Sequence, residues 1–317
     1  MRSFPASPRR WPGLTLIEVI VAVSVLGILA LLTLAAVQHA REGARRATCI
    51  SNLRQLGVAI QSYCSVAQCF PPGNNGRVFS AHAVLLPHLD QTPLYNAVNF
   101  QTTPLVGRWM GRENLTVRGT SLALFLCPSD SHAGRGGINN YAGNRGSGVQ
   151  KYGYNGAFGL SGAVGLESFA DGMSNTSAMA EWVTGVNSRP RAQPNRLVFE
   201  TAFPLLKPDE FDLFARLCSE ADVENGKLSP LVKGETWLVG EFSYTLYNHV
   251  VPINGYSCTN NTGVQEGAWT AGSNHGSGAN VLFADGHARY VMQTISLQTW
   301  RAMGSRNGGD VVSGANP

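Results

Sequence analysis

Three side chains near the C-terminus have the types and the spacing that could build a polar site. His275 stands in a glycine-rich segment, Asp285 follows it ten positions later, and His287 comes two residues after Asp285. Two imidazoles and one carboxylate suit a transition metal. Asp is also favoured at turn tips for its conformation alone, and a loop histidine can hydrogen-bond a neighbouring hairpin. We therefore expect a structural role, with a bound ion or a metal-dependent hydrolase as the alternatives.

A second candidate ion site lies at Asp171-Gly172, where Ser174 and Asn175 add further oxygen atoms. Such oxygens suit calcium, but the segment lacks the EF-hand spacing and a closing glutamate. We interpret it as a turn that leads into a strand, with calcium as the alternative. The chain has no Gly-x-Ser-x-Gly nucleophile elbow and no phosphate-binding glycine loop with a lysine, so we expect no enzyme and no other cofactor.

The six cysteines form an even set, as expected for disulfides in an oxidising compartment. Their spacings do not resemble a zinc site, because Cys64 and Cys69 are five apart with no second Cys or His pair nearby. The sequence alone does not select a pairing. The six are Cys49, Cys64, Cys69, Cys127, Cys218 and Cys258.

The elements that position these groups begin with an apolar N-terminal run. Residues 1–13 are basic and contain three prolines, and Leu14 to Val37 carries a single charge, Glu18. As a helix this run is about 36 Å long, enough to cross a bilayer core of roughly 30 Å. Because arginines before a span stay in the cytoplasm, we expect a single pass through the inner membrane. The N-terminus is then cytoplasmic and the C-terminal domain periplasmic or on the cell surface.

The order Gly13-Leu14-Thr15-Leu16-Ile17-Glu18 resembles the class III leader of type IV prepilins. The resemblance implies cleavage after Gly13 by a prepilin peptidase and N-methylation of Leu14. It also implies that Glu18 pairs with the N-terminal amine of a neighbouring pilin-like subunit. A carboxylate inside a membrane helix costs about 2.5–3.5 kcal/mol, so it is kept where it finds such a partner. The alternative is a carboxylate near the helix end that snorkels to the membrane interface. Pilins usually begin the mature chain with Phe or Met, where this chain has Leu14. Many also have a proline within the membrane helix, and residues 14–37 contain none.

The apolar spacing predicts that this helix continues beyond the membrane. Apolar residues recur every three or four positions from Ala47 to Tyr63, which is one stripe of an amphipathic helix. We expect a leader at 1–13, a transmembrane helix at 14–38 that continues to about 65 as a packing helix, and a globular domain at 66–317. Only 14% of residues are charged and 36 are glycine, which favours a loop-rich, β-leaning domain.

Local patterns predict several elements within that domain. Residues 122–127 and 177–183 have the composition of buried strands. Residues 280–284 and 287–292 flank Asp285-Gly286, which predicts a β-hairpin with a two-residue type I′ turn. Helices are expected at 208–218 and 296–303.

A set of segments spread along the chain forms a recognisable series. They are 49–57, 70–73, 86–91, 127–130, 140–144, 171–176 and the motif His275, nine residues, then Asp285-Gly286. Together they resemble the DUF1559 family with its H-X9-DG signature, which is best known from planctomycetes and has no established biochemical role. The resemblance implies a type IV pilin-like α+β fold: a long N-terminal membrane helix packed on an antiparallel β-rich globular domain with long loops. It also suggests a Cys49–Cys127 disulfide, because both lie in family segments. Residues 189–235 contain no such segment.

Charge and composition narrow the function further. Three arginines in the first ten residues provide most of the net charge of +4, so no basic surface indicates nucleic acid. The leading hypothesis is a structural subunit of a secretion or surface-fibre assembly. The alternative is a membrane-anchored domain that binds a surface polysaccharide or another ligand, with aromatic side chains stacking on sugars. The candidates for stacking are Trp109, Trp182, Trp237 and Trp269.

Overall fold

The computed structural model describes residues 15–106, 109–133, 136–148, 154–159, 162–186, 193–201, 210–260 and 267–309. The predicted leader at 1–13 and the predicted cleavage and methylation positions, Gly13 and Leu14, lie outside them. The chain divides into two compact units, one ending at Ala44 and the other, the C-terminal unit, running from Arg45.

Helix α1, Leu16–Ala67, is the longest element and agrees with the helix predicted from about 14 to 65. It begins at Leu16 because Thr15 and Glu18 form a capping box: the Thr15 amide donates to Glu18 Oε2 over 2.8 Å. It ends where Gln68 adopts a left-handed φ of 54° and donates its amide to the Cys64 carbonyl.

The N-terminal unit contains the apolar part of α1. The described side chains from 15 to 34 are all exposed, and by length and composition this helix is able to cross a membrane. Within the C-terminal unit α1 instead buries one stripe of side chains, at the spacing that the sequence predicts. These are Cys49, Leu53, Leu56, Ile60 and Cys64.

The main sheet has five strands in the order β11-β10-β6-β4-β8. Its pairings are antiparallel except β4 with β8, which is parallel. Its side chains pack with α1 in the largest apolar core. Together with α1, this gives a mixed α+β fold. The strands are β4 (Tyr141–Asn144), β6 (Ser177–Glu181), β8 (Leu246–Tyr247), β10 (Gly278–Phe283) and β11 (Ala288–Met292).

Short elements fill the rest of the C-terminal unit. The described residues also form three two-stranded sheets. These pair β1 (Cys69–Phe70) with β5 (Val164–Gly165), β2 (Leu105–Val106) with β3 (Trp109–Met110), and β7 (Val198–Glu200) with β9 (Ser257–Thr259). The helices are α2 (Ala81–Leu85), α3 (Thr92–Ala97), α4 (Leu115–Arg118), α5 (Phe211–Ser219) and α6 (Leu297–Gly304). One-turn 3₁₀ helices cover Leu86–Leu89, Ala123–Phe125, Leu166–Ser168 and Pro194–Arg196.

Two local predictions are wrong. Residues 122–127 form a 3₁₀ turn instead of a strand. The carbonyl of Phe125 accepts the Asn140 amide, and the Phe125 ring is buried beside His82 and Trp237. The hairpin β10–β11 is confirmed, but four residues, 284–287, join its strands, and the Gly286 amide donates to the Phe283 carbonyl. Of the loop residues only Gly286 has a positive φ, 95°, whereas a type I′ turn needs two such residues.

The segment without a family resemblance takes part in a second, smaller core. This core joins β7, α5 and β9. A disulfide between Cys218 on α5 and Cys258 on β9 closes it. This disulfide is not the predicted one between Cys49 and Cys127, and both of those residues are free thiols in the structure.

The hairpin loop approaches α1 closely at Gly57, which gives a stability prediction. A Cβ there would lie 2.9 Å from Leu282 Cδ1 and 3.0 Å from the Gly286 carbonyl oxygen. Gly57→Leu is therefore expected to lower the free energy of unfolding by about 1–3 kcal/mol through overpacking. Gly43→Leu is the matched control, because a Cβ at residue 43 meets nothing within 4 Å and leucine favours a helix over glycine. Urea unfolding of both full-length variants tests this, and equal losses would contradict the close packing.

Candidate functional site

Four distant segments bring together two thiols, a carboxylate and an imidazole inside the C-terminal unit. Cys49 lies on α1, Cys127 follows the 3₁₀ turn Ala123–Phe125, Glu181 ends β6, and His275 precedes β10. All four are buried, and one donor atom from each lies within 4.8 Å of the other three. We call this group the thiol–imidazole cluster.

The cluster converges on one ring nitrogen of His275. Nε2 lies 3.1 Å from Cys49 Sγ, 3.2 Å from Cys127 Sγ and 3.8 Å from Glu181 Oε1. The side chains of His275 and Glu181 are 0% and 2% exposed. The arrangement is therefore a buried site with donor atoms from four parts of the chain.

Neighbouring amides fix two members of the cluster. Asn140, the residue before β4, accepts the Cys127 amide over 3.0 Å with Oδ1, and its Nδ2 donates to Asp130, so it fixes both ends of the Cys127-Pro128-Ser129-Asp130 loop. Asn280 on β10 binds both oxygens of Glu181: its amide donates to Oε2 and its Nδ2 to Oε1, each over 3.0 Å.

The electrostatics of the cluster favour a neutral Cys127 thiol when only protein groups are present. The neighbouring Cys49 thiol and burial both raise the pKa of Cys127, while the hydrogen bond from His275 lowers it. The adjacent Tyr141 hydroxyl also has a raised pKa, because of burial and the negative groups around it. Thiolates would therefore need a cation beside them.

Two chemistries are open to this donor set. Two neighbouring cysteines can be oxidised to a disulfide, and the Cys49–Cys127 disulfide stays a prediction. Two thiolates, an imidazole and a carboxylate are also protein ligands of zinc. Among the described residues, the four members of the thiol–imidazole cluster form the group of His, Cys, Asp and Glu side chains whose donor atoms lie close enough together to hold a metal.

The other sequence candidates lie elsewhere. Asp285 and His287 pair with each other at 2.6 Å on the hairpin, with side chains 37% and 43% exposed, and do not join His275. The three residues therefore do not form the predicted polar cluster. Asp285 lies in the hairpin turn, the place where the sequence predicts a structural role for it. Asp171 accepts the amides of Gly308 and Gly309 with its two oxygens, so it fastens a loop.

The tryptophans proposed for sugar stacking are also reassigned. Trp182, Trp237 and Trp269 are buried in the main core, where their rings pack against other apolar side chains. Trp109 lies on β3, and its side chain is outside the described part. The core role of these rings removes the main sequence argument for a polysaccharide site.

Comparison with known proteins identifies the family. A family model described as "Protein of unknown function (DUF1559)" matches residues 38–298, well over half of the chain. The chain belongs to the DUF1559 family. Searches of curated proteins and of solved structures found no match.

The predicted H-X9-DG signature, His275 followed by Asp285-Gly286, joins β10 to α1 in this structure. His275 contacts Cys49 on α1. The hairpin loop meets the same helix further along, where Gln61 donates to the Ala284 carbonyl over 2.6 Å. Both ends of the signature thus fasten β10 to α1.

Sequence reasoning found His275 and the two cysteines but missed Glu181. The available signal was a lone acidic residue at the end of the uncharged run Ser177-Ala-Met-Ala. Charged residues are rarely fully buried without a partner, so an acid in a buried strand already indicates a polar site.

Proposed function

We propose that this DUF1559 protein is a membrane-anchored, pilin-like structural subunit. In this proposal a prepilin peptidase cuts between Gly13 and Leu14 and methylates Leu14, α1 holds the chain in the inner membrane, and the C-terminal unit is periplasmic or at the cell surface. Its partners are the membrane and other pilin-like subunits, with no role for nucleic acid and no catalysis assigned.

The observation that carries the proposal is the exposed apolar surface of α1. From Leu16 to Val37 its only charged side chain is Glu18, and its large apolar side chains are 44–80% exposed. An apolar surface of this size indicates a membrane or protein interaction site. In the proposed role, lipid and the helices of neighbouring pilin-like subunits both shield this surface from water.

The position of Glu18 supports assembly as the role. Its carboxylate lies in the first turn of α1, where it accepts the amide and hydroxyl of Thr15 over 2.8 and 2.9 Å. It is exposed, so the amine of a neighbouring chain can reach it. The Cys218–Cys258 disulfide is consistent with an oxidising, extracytoplasmic location for the C-terminal unit.

Mass analysis of the protein from native membranes tests the processing step. We expect a mature chain that starts at N-methyl-Leu14. A chain that keeps residues 1–13 would overturn the prepilin proposal and leave a plain membrane anchor.

Substitution of Glu18 tests the assembly step. Glu18→Ala is expected to keep membrane insertion and to reduce co-purification with other pilin-like subunits, because the amine of the neighbour loses its partner. Glu42→Ala is the control, as Glu42 is the other acidic residue of α1. Normal assembly of Glu18→Ala would refute this step even if processing is observed.

A further inference from the structure

We propose that the thiol–imidazole cluster binds one zinc ion as a closed structural centre within the C-terminal unit. Cys49 and Cys127 would be thiolate ligands, His275 would bind through Nε2, and Glu181 would bind through Oε1. This inference is independent of the proposed pilin-like function.

The first argument is the valence of the His275 ring nitrogen. Nε2 carries either one hydrogen or one lone pair, so it can form one good hydrogen bond. In the structure it faces two sulfur atoms at 3.1 and 3.2 Å and a carboxylate oxygen at 3.8 Å. This one nitrogen therefore cannot hydrogen-bond all three neighbours at once. A metal ion among the four atoms satisfies each of them with one bond.

The second argument is the charge of Glu181. Its side chain is 2% exposed, and the hydrogen bonds to its two oxygens come from Asn280, a neutral residue. A buried carboxylate without a cation is strongly unfavourable. A divalent cation beside Oε1 supplies the compensating charge and also stabilises the two thiolates.

The distances fit a tetrahedral zinc site. With Zn–S about 2.3 Å and Zn–N about 2.0–2.1 Å, ligand sulfur and nitrogen atoms lie about 3.5 Å apart. The two sulfur–nitrogen distances in the cluster are 3.1 and 3.2 Å, so shifts of roughly 0.4 Å would admit the ion.

The ligand types and burial indicate zinc in a structural role. Thiolate and imidazole ligands select zinc over calcium or magnesium, which prefer oxygen. All four positions of a tetrahedral ion would be filled by protein, with no open position for a substrate. The neighbours are those expected around a metal ligand set: Asn140 orients Cys127, and Asn280 orients Glu181.

The rival chemistry is the Cys49–Cys127 disulfide, and the experiment must separate the two. Full-length protein is purified in detergent through a tag without histidines and without added metal. Its metal content is measured by mass spectrometry, and its cysteines are mapped after alkylation of the denatured chain. We expect about one zinc per chain, with Cys49 and Cys127 recovered as thiols and Cys218–Cys258 as a disulfide.

Cobalt exchange reports the ligands directly. The metal is removed with a chelator under reducing conditions, and Co²⁺ is added to the same full-length chain. We expect thiolate-to-cobalt charge-transfer absorption and the strong visible bands of a tetrahedral site. A Co²⁺ spectrum without thiolate bands would overturn the proposal, and this measurement needs no variant that folds poorly.

Matched variants assign the ligands. His275→Ala should reduce the zinc content to a trace. Substitution of the hairpin histidine, His287→Ala, should leave the zinc content unchanged. Cys127→Ser should remove the thiolate bands, whereas Cys64→Ser, a free cysteine outside the cluster, should not. Asn280→Ala should weaken zinc binding about 10- to 100-fold, as loss of a residue that orients a ligand does.

Two further outcomes would reject the zinc centre. One is metal-free protein in which Cys49 and Cys127 are joined by a disulfide. The other is full zinc content in Cys49→Ser and Cys127→Ser. Because none of these readouts depends on the N-terminus, they leave the processing and assembly of the chain as separate questions.

Discussion

Acidification from about pH 6.5 to 4 is expected to lower the free energy of unfolding of the C-terminal unit by about 6 kcal/mol, on account of two buried histidines. His82 donates Nε2–H to the Tyr141 carbonyl over 2.7 Å. His249 donates Nδ1–H to the Trp300 carbonyl over 2.6 Å and lies stacked on the Trp300 indole. Burial lowers the pKa of His82 to about 4 and of His249 to about 3.

The direction follows from proton binding in the two states. In the unfolded chain both histidines have a pKa near 6.5, and both stay neutral in the folded protein until the pH nears the lower values. Between these limits the unfolded chain binds more protons, so each histidine lowers stability by about 1.4 kcal/mol per pH unit as the pH falls. Above about pH 6.5 both are neutral in both states, and the effect is absent.

Urea unfolding of the full-length chain in detergent at a series of pH values measures this slope. His82→Gln and His249→Gln should each reduce the slope by about 1.4 kcal/mol per pH unit. His287→Gln is the control, because His287 is 43% exposed on the hairpin loop and should leave the slope unchanged. Slopes unaffected by both buried substitutions would show that other groups cause the acid sensitivity.

Replacing Arg196 with methionine is expected to lower the free energy of unfolding by about 3–5 kcal/mol. Arg196 Nη2 lies 2.8 Å from Asp130 Oδ1, and the two side chains are 1% and 2% exposed. Burial alone would raise the pKa of Asp130, but Arg196 and the Thr184 and His132 amides more than offset it and hold that pKa below its usual value. Without Arg196 the carboxylate is left buried without this cation. Lys233, which also acts on Asp130, has a pKa lowered by burial to about 7.

The pH dependence of the loss identifies its cause. In the variant the Asp130 carboxyl takes up a proton more readily, so the deficit against the unchanged protein should be smaller at about pH 4.5 than at about pH 7.5. Asp212→Asn is the control: Asp212 pairs with Arg301 at the surface and is 87% exposed, so its loss should amount to less than about 1 kcal/mol. A deficit that does not change with pH would indicate lost packing instead of an unpaired charge.

Elements with a strong local pattern could be predicted from the sequence. The three-to-four spacing after Ala47 predicts the buried stripe of α1, and the Asp285-Gly286 turn between two strand-like runs predicts the β10–β11 hairpin. The strand predicted at 122–127 failed because an apolar run carries no information on whether a partner strand exists. Here the Phe125 carbonyl accepts the Asn140 amide, and the Phe125 amide donates to the Leu122 carbonyl within the local turn.

The candidate site was only partly predictable because its members are far apart in the chain. Cys49 and His275 are 226 residues apart, and no local pattern reports such a contact. The sequence paired His275 with Asp285 because they share a signature, but a strand of six residues separates the cluster from the loop. Cysteine pairing shows the same limit, since Cys218 and Cys258 meet only through the folding of α5 against β9.

The capping box at the start of α1 has a thermodynamic consequence for assembly. Before any subunit meets another, the Glu18 carboxylate is already hydrogen-bonded to Thr15 of its own chain. In the proposed assembly a neighbouring amine would therefore enter by exchange, and its gain would be the difference between an ion pair and an internal cap worth about 1 kcal/mol. A difference of this size would leave each single contact reversible, so stable incorporation would need many neighbouring helices to contribute together.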